Sequence, residues 1–300
     1  MNVGPDPVAI PEYLVAFGRA RGPSGVQWLE RLPLLVAELR TRWELELEPP
    51  LGDPPGAMGW IAPGRLTDGT EVMLKLSWPH TEAESEAAGL RFFDGRGAVR
   101  VVASDESRFA LLTERIRPGD DLWSLGVDEA NGVAAGVLRR LWREPPQEPG
   151  PVRTLAETVG EWNRSYAVSR RDYPKTLVQA AVDRGRSLVE TQSDLVVVHG
   201  DFNLSNVLRS SRGEWLAIDP KPLIGDPAYD LAQYLAQRVE AAAQREDPGR
   251  ELLRQIDSFA GALSLDRGRI AGWAAVKAVG WNWGAAMAET FAALALATGP

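Results

Sequence analysis

His199-Gly200-Asp201-Phe202-Asn203-Leu204-Ser205-Asn206, followed by Ile218-Asp219-Pro220-Lys221, decides how this chain is read. An Asp is followed five residues on by an Asn, and thirteen residues beyond that by a second Asp. Leu195-Val196-Val197-Val198 runs apolar into His199 and predicts a buried strand. Asn206-Val207-Leu208 and Trp215-Leu216-Ala217-Ile218 predict two more, joined as a hairpin by Arg209-Ser210-Ser211-Arg212-Gly213. Folding that hairpin brings Asn206 to Asp219 and leaves Asp201 in the loop that follows the first strand. A carboxylate to accept a hydroxyl proton, with an amide and a second carboxylate to hold Mg²⁺ on phosphates, is the set that phosphoryl transfer from a metal nucleotide requires. A calcium loop is excluded, because position six is Asn206 instead of Gly and position twelve is Arg212 instead of Glu.

An isolated Asp-x-x-x-x-Asn is ordinary loop composition, so its weight depends on the rest of the chain. The order of Asp201, Asn206 and Asp219 is that of the protein-kinase catalytic loop and its metal-binding Asp, with His-Gly-Asp in place of His-Arg-Asp. Near the N-terminus, Ser24-Gly25-Val26-Gln27 predicts a capping box ahead of a helix through Trp28, Leu29 and Leu32. Pro33 is expected to break or restart that helix before Leu34 to Trp43. The period then shortens. Glu44 to Leu47, Met58 to Ala62 and Thr70 to Leu76 predict strands, with Thr67-Asp68-Gly69 as a hairpin turn. A helix opens near Thr81, and Val99 to Val102 and Phe109 to Leu112 predict two further strands. Three strands, a helix and two strands make the small lobe of a kinase.

Lys75, the only lysine before Lys175, lies in the third of these strands, where an ammonium reaches nucleotide phosphates. Glu86 on the following helix is the chosen partner for Lys75, with Glu82 one turn earlier on the same face as the competitor. Leu51-Gly52-Asp53-Pro54-Pro55-Gly56-Ala57 is the candidate phosphate-covering loop, although it lacks G-x-G-x-x-G. No Gly-Lys pair occurs, which excludes a Walker A loop. Ala110 to Gly119 predicts a strand passing into a turn, and main-chain groups of Glu114 and Ile116 would bond adenine there. Beyond it the chain is mostly helical, with Asn131 to Trp142, Leu155 to Val168 and Thr176 to Glu190 all periodic. Asp226-Pro227 offers an N-cap and first-turn Pro for a helix through Leu231 and Leu235, on which Asp230 is a candidate to bond back to the catalytic loop, against an ordinary solvated first-turn carboxylate.

Composition narrows the classes. Three hundred residues at 44% hydrophobic content supply a sizeable core. Without cysteine there is neither disulfide nor thiolate ligand, and with only His80 and His199 a His-rich zinc site is excluded. No signal peptide is expected. The apolar stretch from Ile270 to Thr298 is interrupted by Lys277, Asn282 and Glu289, so buried helix is expected there and not a membrane span. A net charge of −8 disfavours nucleic acid and suits a cationic substrate. The expected location is the cytoplasm.

Val198-His199-Gly200-Asp201 to Asn206, Ala217 to Lys221 and Gly225-Asp226-Pro227-Ala228-Tyr229-Asp230-Leu231-Ala232 resemble the aminoglycoside phosphotransferases. Ile218-Asp219-Pro220-Lys221, Trp60 to Gly64, Leu74 to Pro79 and Asp94 to Val99 resemble, more narrowly, the aminoglycoside and hydroxyurea resistance kinases that include streptomycin 6-phosphotransferases. The resemblance spans most of the chain. It implies an α+β, two-lobed protein-kinase-like fold: a small antiparallel-sheet lobe over residues 1–115 and a mostly helical lobe over 116–300. It also implies ATP, Mg²⁺ and a hydroxylated small-molecule acceptor, most specifically an aminoglycoside such as streptomycin. Carried over, Asp201 would be the base, Asn206 and Asp219 the metal ligands and Lys75 the phosphate ligand. Asn203 stands where relatives often have His, at a position that bears on the acceptor. Trp281, Trp283 and Glu289 are further candidates for ring stacking and cation binding, against an ordinary role in core and surface. A kinase of another hydroxylated metabolite, such as a sugar or amino alcohol, is the enzymatic alternative. A catalytically inactive kinase-like binding module is the other, against which Lys75, Asp201, Asn206 and Asp219 all being present argues.

Overall fold

The computed structural model describes residues 8–52, 58–169, 173–242, 248–280 and 289–293. Most of the candidate phosphate-covering loop, together with Trp281 and Trp283, lies outside these residues. Two compact units are formed, Met1–Gly95 with Val99–Arg117 and Arg96–Ala98 with Pro118–Pro300.

In the first unit two helices, α1 (Glu12–Ala20) and α2 (Pro23–Arg42), precede the strands β1 (Leu45–Leu47), β2 (Gly59–Leu66) and β3 (Glu71–Ser77). A helix α3 (Thr81–Phe93) then leads to β4 (Val101–Asp105) and β5 (Ala110–Glu114). The five strands form one antiparallel sheet in the order β1-β2-β3-β5-β4. Val72, Leu74 and Leu76 alternate inward along β3 and join Trp60, Leu112 and the buried side of α2 in one core. Period-two alternation therefore puts Lys75 on the opposite face of β3.

Helix α2 runs unbroken through Pro33, contrary to the expected break. An interior proline costs about 3 kcal/mol. Burial of Leu29, Leu32, Val36 and Leu39 on one face, each worth about 1.5–3 kcal/mol, outweighs it. Nor does the expected capping box form. Gly22 (φ 71°) is the N-cap and Pro23 opens the helix, where its missing N–H would have no helical partner. Ser24 Oγ instead reaches back to Arg21 O at 3.4 Å. The sequence reading leaves α1 unassigned; it is held because Leu14 is buried and Tyr13 donates to Gly59 O at 3.0 Å.

The second unit begins with β6 (Pro118–Asp121), α4 (Val127–Leu141), β7 (Arg153–Thr154), α5 (Leu155–Ser169) and α6 (Lys175–Glu190). The strands β8 (Val196–Val198), β9 (Val207–Ser210), β10 (Trp215–Ala217) and β11 (Leu223–Gly225) follow, and α7 (Asp230–Ala242), α8 (Pro248–Leu263) and α9 (Arg267–Gly280) complete it. Two small sheets carry the loops, one ordered β10-β9-β6 and the other β7-β11-β8. Strands β9 and β10 pair as the expected hairpin, with Val207 opposite Ala217. Helix α9 is buried from Ile270 to Gly280, including Lys277, which is 1% exposed. Among the described residues no helix is long and apolar enough to cross a membrane.

Candidate active site

Strand β8 delivers His199-Gly200-Asp201 into a loop fixed by hydrogen bonds at nearly every residue. The carboxylate of Asp230, fully buried at the start of α7, accepts from His199 N at 2.9 Å, Gly200 N at 2.7 Å and Trp142 Nε1 at 2.9 Å. His199 is also fully buried. Its Nδ1 accepts the Asp201 N–H at 3.3 Å, so the proton sits on Nε2, which donates to Ile218 O at 3.0 Å. Desolvation holds its pKa below the usual 6.5, in keeping with a neutral ring. His199 is thus a strut between the loop bearing Asp201 and the strand end bearing Asp219.

Gly200 is required by two constraints. Its φ is +81°, and a Cβ there would lie 1.9 Å from Lys221 O. The two chain segments therefore run in contact, and Lys221 N donates to His199 O at 2.8 Å. Asp226, also buried, caps the turn before α7 through Ala228 N at 2.9 Å. Its other oxygen accepts from Trp273 Nε1 at 2.7 Å and pairs with Arg269, tying the turn to α9. Lys277 on the same helix donates to Gly200 O at 3.1 Å.

The loop then turns through a short 3-10 segment, Leu204–Asn206. Asn206 Nδ2 donates to Asp201 O at 3.0 Å, which makes Oδ1 the atom of its side chain able to accept a ligand. Asn206 O accepts from Ile218 N at 2.9 Å, so the hairpin places Asn206 beside the residue that precedes Asp219. Asp219 has φ 54°, a left-handed conformation uncommon for a residue with a side chain and concentrated at functional positions. The amide and the carboxylate offer hard oxygen donors, a set that suits Mg²⁺ sharing its coordination with phosphates and water. Among the described residues no group of three or more His, Cys, Asp or Glu is placed to hold a metal by itself.

In the first unit Lys75 Nζ donates to both carboxylate oxygens of Glu86, at 2.8 and 2.9 Å, while Glu82 is exposed. The Lys75 and Glu86 side chains are 17% and 8% exposed, so the pair is substantially shielded from water. At the end of β5, Glu114 N donates to Arg100 O at 3.0 Å and Arg115 N to Glu71 O at 3.1 Å. Glu114 thus closes β5, and Ile116 lies two residues beyond the end of that strand.

Asn203 works within its own loop. Its Oδ1 accepts from Ser205 N at 3.0 Å and Asn206 N at 3.1 Å, and its Nδ2 donates to Asp201 O at 3.2 Å. Glu289 is exposed on a short helical stretch, and Trp283 lies outside the described residues. Two residues with structural duties are missing from the predicted site: Trp142, which carries no chemical signal in the sequence, and Lys277, whose one signal is a lysine inside an otherwise apolar helix.

A sheet carrying a Lys–Glu pair, and a helical unit carrying an Asp-x-x-x-x-Asn loop beside a hairpin-borne Asp, are the parts of a protein-kinase-like phosphotransferase. Residues 49–288 match the model of the aminoglycoside/hydroxyurea antibiotic resistance kinases, and the chain belongs to that family. It is 36% identical over 272 residues to a streptomycin 6-kinase of Streptomyces glaucescens, covering 89% of this chain and 87% of that one. A hydroxyurea phosphotransferase of Kitasatospora aureofaciens is 33% identical over 282 residues, covering 89% and 77%. Among solved structures, the fold is similar to that of the choline kinase of Streptococcus pneumoniae, with a TM-score of 0.60 at 13% identity over 88% of this chain and 97% of that one. An aminoglycoside phosphotransferase of Streptomyces rimosus has a TM-score of 0.54 at 20% identity, covering 83% and 98%.

Proposed function

We propose that the protein transfers the γ-phosphoryl group of ATP to a hydroxyl of streptomycin, and that in the cytoplasm this inactivates the drug. The observation that carries the reading is the loop that fixes Asp201 against Asn206 and Asp219, in a chain about one-third identical to streptomycin 6-kinases over most of its length. A net charge of −8 suits an acceptor that bears guanidinium groups.

In this reading Lys75 binds the α and β phosphates, and Glu86 holds the lysine in one rotamer. Glu114 C=O and Ile116 N–H supply the acceptor and donor that an adenine edge needs. Asn206 Oδ1 and the Asp219 carboxylate hold Mg²⁺, which when bound neutralises phosphate charge that would otherwise oppose transfer. Asp201 orients the acceptor hydroxyl and takes its proton as the new P–O bond forms and the bond to the ADP oxygen breaks. Phosphoryl transfer has a loose transition state, so position and charge count for more than the strength of the base. A loop immobilised by Asp230, His199 and Asn203 answers that demand.

The test is ADP release by the purified protein with Mg²⁺ and ATP against streptomycin, hydroxyurea and a neutral sugar. Streptomycin should give the highest kcat/KM. Release that is faster with the sugar than with streptomycin would replace this reading with the metabolite kinase.

A further inference from the structure

We propose that Lys221 is a positioning residue for the phosphotransfer step, holding one oxygen of the Asp201 carboxylate so that the other takes the acceptor proton. The inference rests on the proposed kinase reaction and deepens it. Lys221 Nζ is ion-paired with Asp201 Oδ2. Among the described residues, Asp201 Oδ1 has no protein partner.

The geometry assigns this task to a single side chain. The Asp201 backbone is already fixed, with its N–H on His199 Nδ1 and its carbonyl accepting from Asn203 and Asn206. That leaves the two side-chain torsions of Asp201, which among the described residues the Lys221 ammonium restrains. Lys221 itself is anchored on both sides: its N–H donates to His199 O at 2.8 Å, and its carbonyl packs where a Gly200 Cβ would otherwise lie. Pro220 before it has a fixed φ.

The lysine follows Asp219 by two residues, so one short segment supplies both a metal ligand and the restraint on the base. Asp201 and Lys221 side chains are 21% and 24% exposed, accessible enough to meet substrate yet shielded enough for the pair to persist. An unrestrained carboxylate would sample rotamers that point its oxygens away from the acceptor. Misplacement by about 1 Å can cost on the order of 10²-fold in rate.

The experiment compares wild type, Lys221→Met, Lys221→Arg and Lys221→Ala with ATP and streptomycin, each also placed on an Asp201→Asn background. Lys221→Met should lower kcat about 10–100-fold while both KM values stay within about threefold. Lys221→Arg should recover most of the loss, and ethylammonium should restore part of the activity of Lys221→Ala. On the Asp201→Asn background the methionine should cost less than about twofold, because the carboxylate it positions is gone. Unchanged melting temperatures exclude a folding defect, and Lys221→Arg covers the case in which Lys221→Met does not fold. Wild-type kcat in Lys221→Met, or an equal loss on both backgrounds, overturns the inference. If the wild type leaves streptomycin unmodified, it is the acceptor assignment that fails, and the same comparison is read from ADP release with water as acceptor.

Discussion

Replacing Asp230 by Asn tests whether the catalytic loop is held by one buried carboxylate. The change preserves shape, so no cavity complicates the outcome. In the native site two oxygens receive three N–H donors, and the residue has no exposed surface. The better amide orientation keeps its oxygen on His199 N and Trp142 Nε1 and turns Nδ2 onto Gly200 N–H, where the native contact is 2.7 Å. A buried donor left facing another donor costs about 1–3 kcal/mol, and the two surviving bonds lose their charge assistance. A total of about 2–4 kcal/mol follows. For a unit of this size that lowers the melting temperature by about 4–16 °C. Gly200 must also move off the amide, which carries Asp201 with it and should reduce kcat by roughly 10²-fold. Thermal melts and initial rates with saturating ATP and acceptor read both effects. A variant melting within about 1 °C of wild type, with kcat within about twofold, would refute the reasoning.

Gly200→Ala combines a left-handed φ with a clash against Lys221 O and should lower both stability and kcat, read by melts and rates; normal activity would contradict the close crossing. Asp226→Ala strips the partner from Arg269 and Trp273 and should destabilise by about 3–5 kcal/mol in denaturant titrations. His199 is buried and its pKa lies below 6.5, so the unfolded chain binds the extra proton. Its contribution is therefore complete above about pH 6.5 and falls away below it, by up to about 1.4 kcal/mol per pH unit. His199→Gln, which keeps a donor and an acceptor, should show a flatter stability profile between about pH 5.5 and 7.

What was legible in the sequence was local. An apolar run entering His-Gly-Asp, and turn residues between two short β-patterned runs, specify a loop and a hairpin without reference to the rest of the chain. Alternation along β3 likewise shows that Lys75 leaves the core. Glu82 and Glu86 share a helix face, so spacing alone does not separate them; the approach of α3 to the sheet buries Glu86 and leaves Glu82 in water. The continuity of α2 through Pro33 was hidden because the compensating burial lies in a sheet formed later in the chain. The Asp201–Lys221 contact joins residues twenty positions apart, and no periodicity reports such a pair; that Asp230 reaches the catalytic loop was open to sequence reasoning, but not which backbone groups it meets. Asn203 illustrates the opposite limit: a position suggestive of the acceptor is occupied by a side chain engaged in building the loop.

The most direct measurement is mass spectrometry of streptomycin after incubation with Mg²⁺, ATP and either the wild-type protein or Asp201→Asn, with nucleotide binding measured in parallel. The account predicts a product carrying one phosphate on a hydroxyl with the wild type. It predicts a rate about 10²–10⁴-fold lower for the variant, with nucleotide affinity nearly unchanged. Equal rates for the two proteins would contradict the assignment of Asp201, and unmodified streptomycin alongside rapid phosphorylation of a neutral sugar would contradict the proposed function.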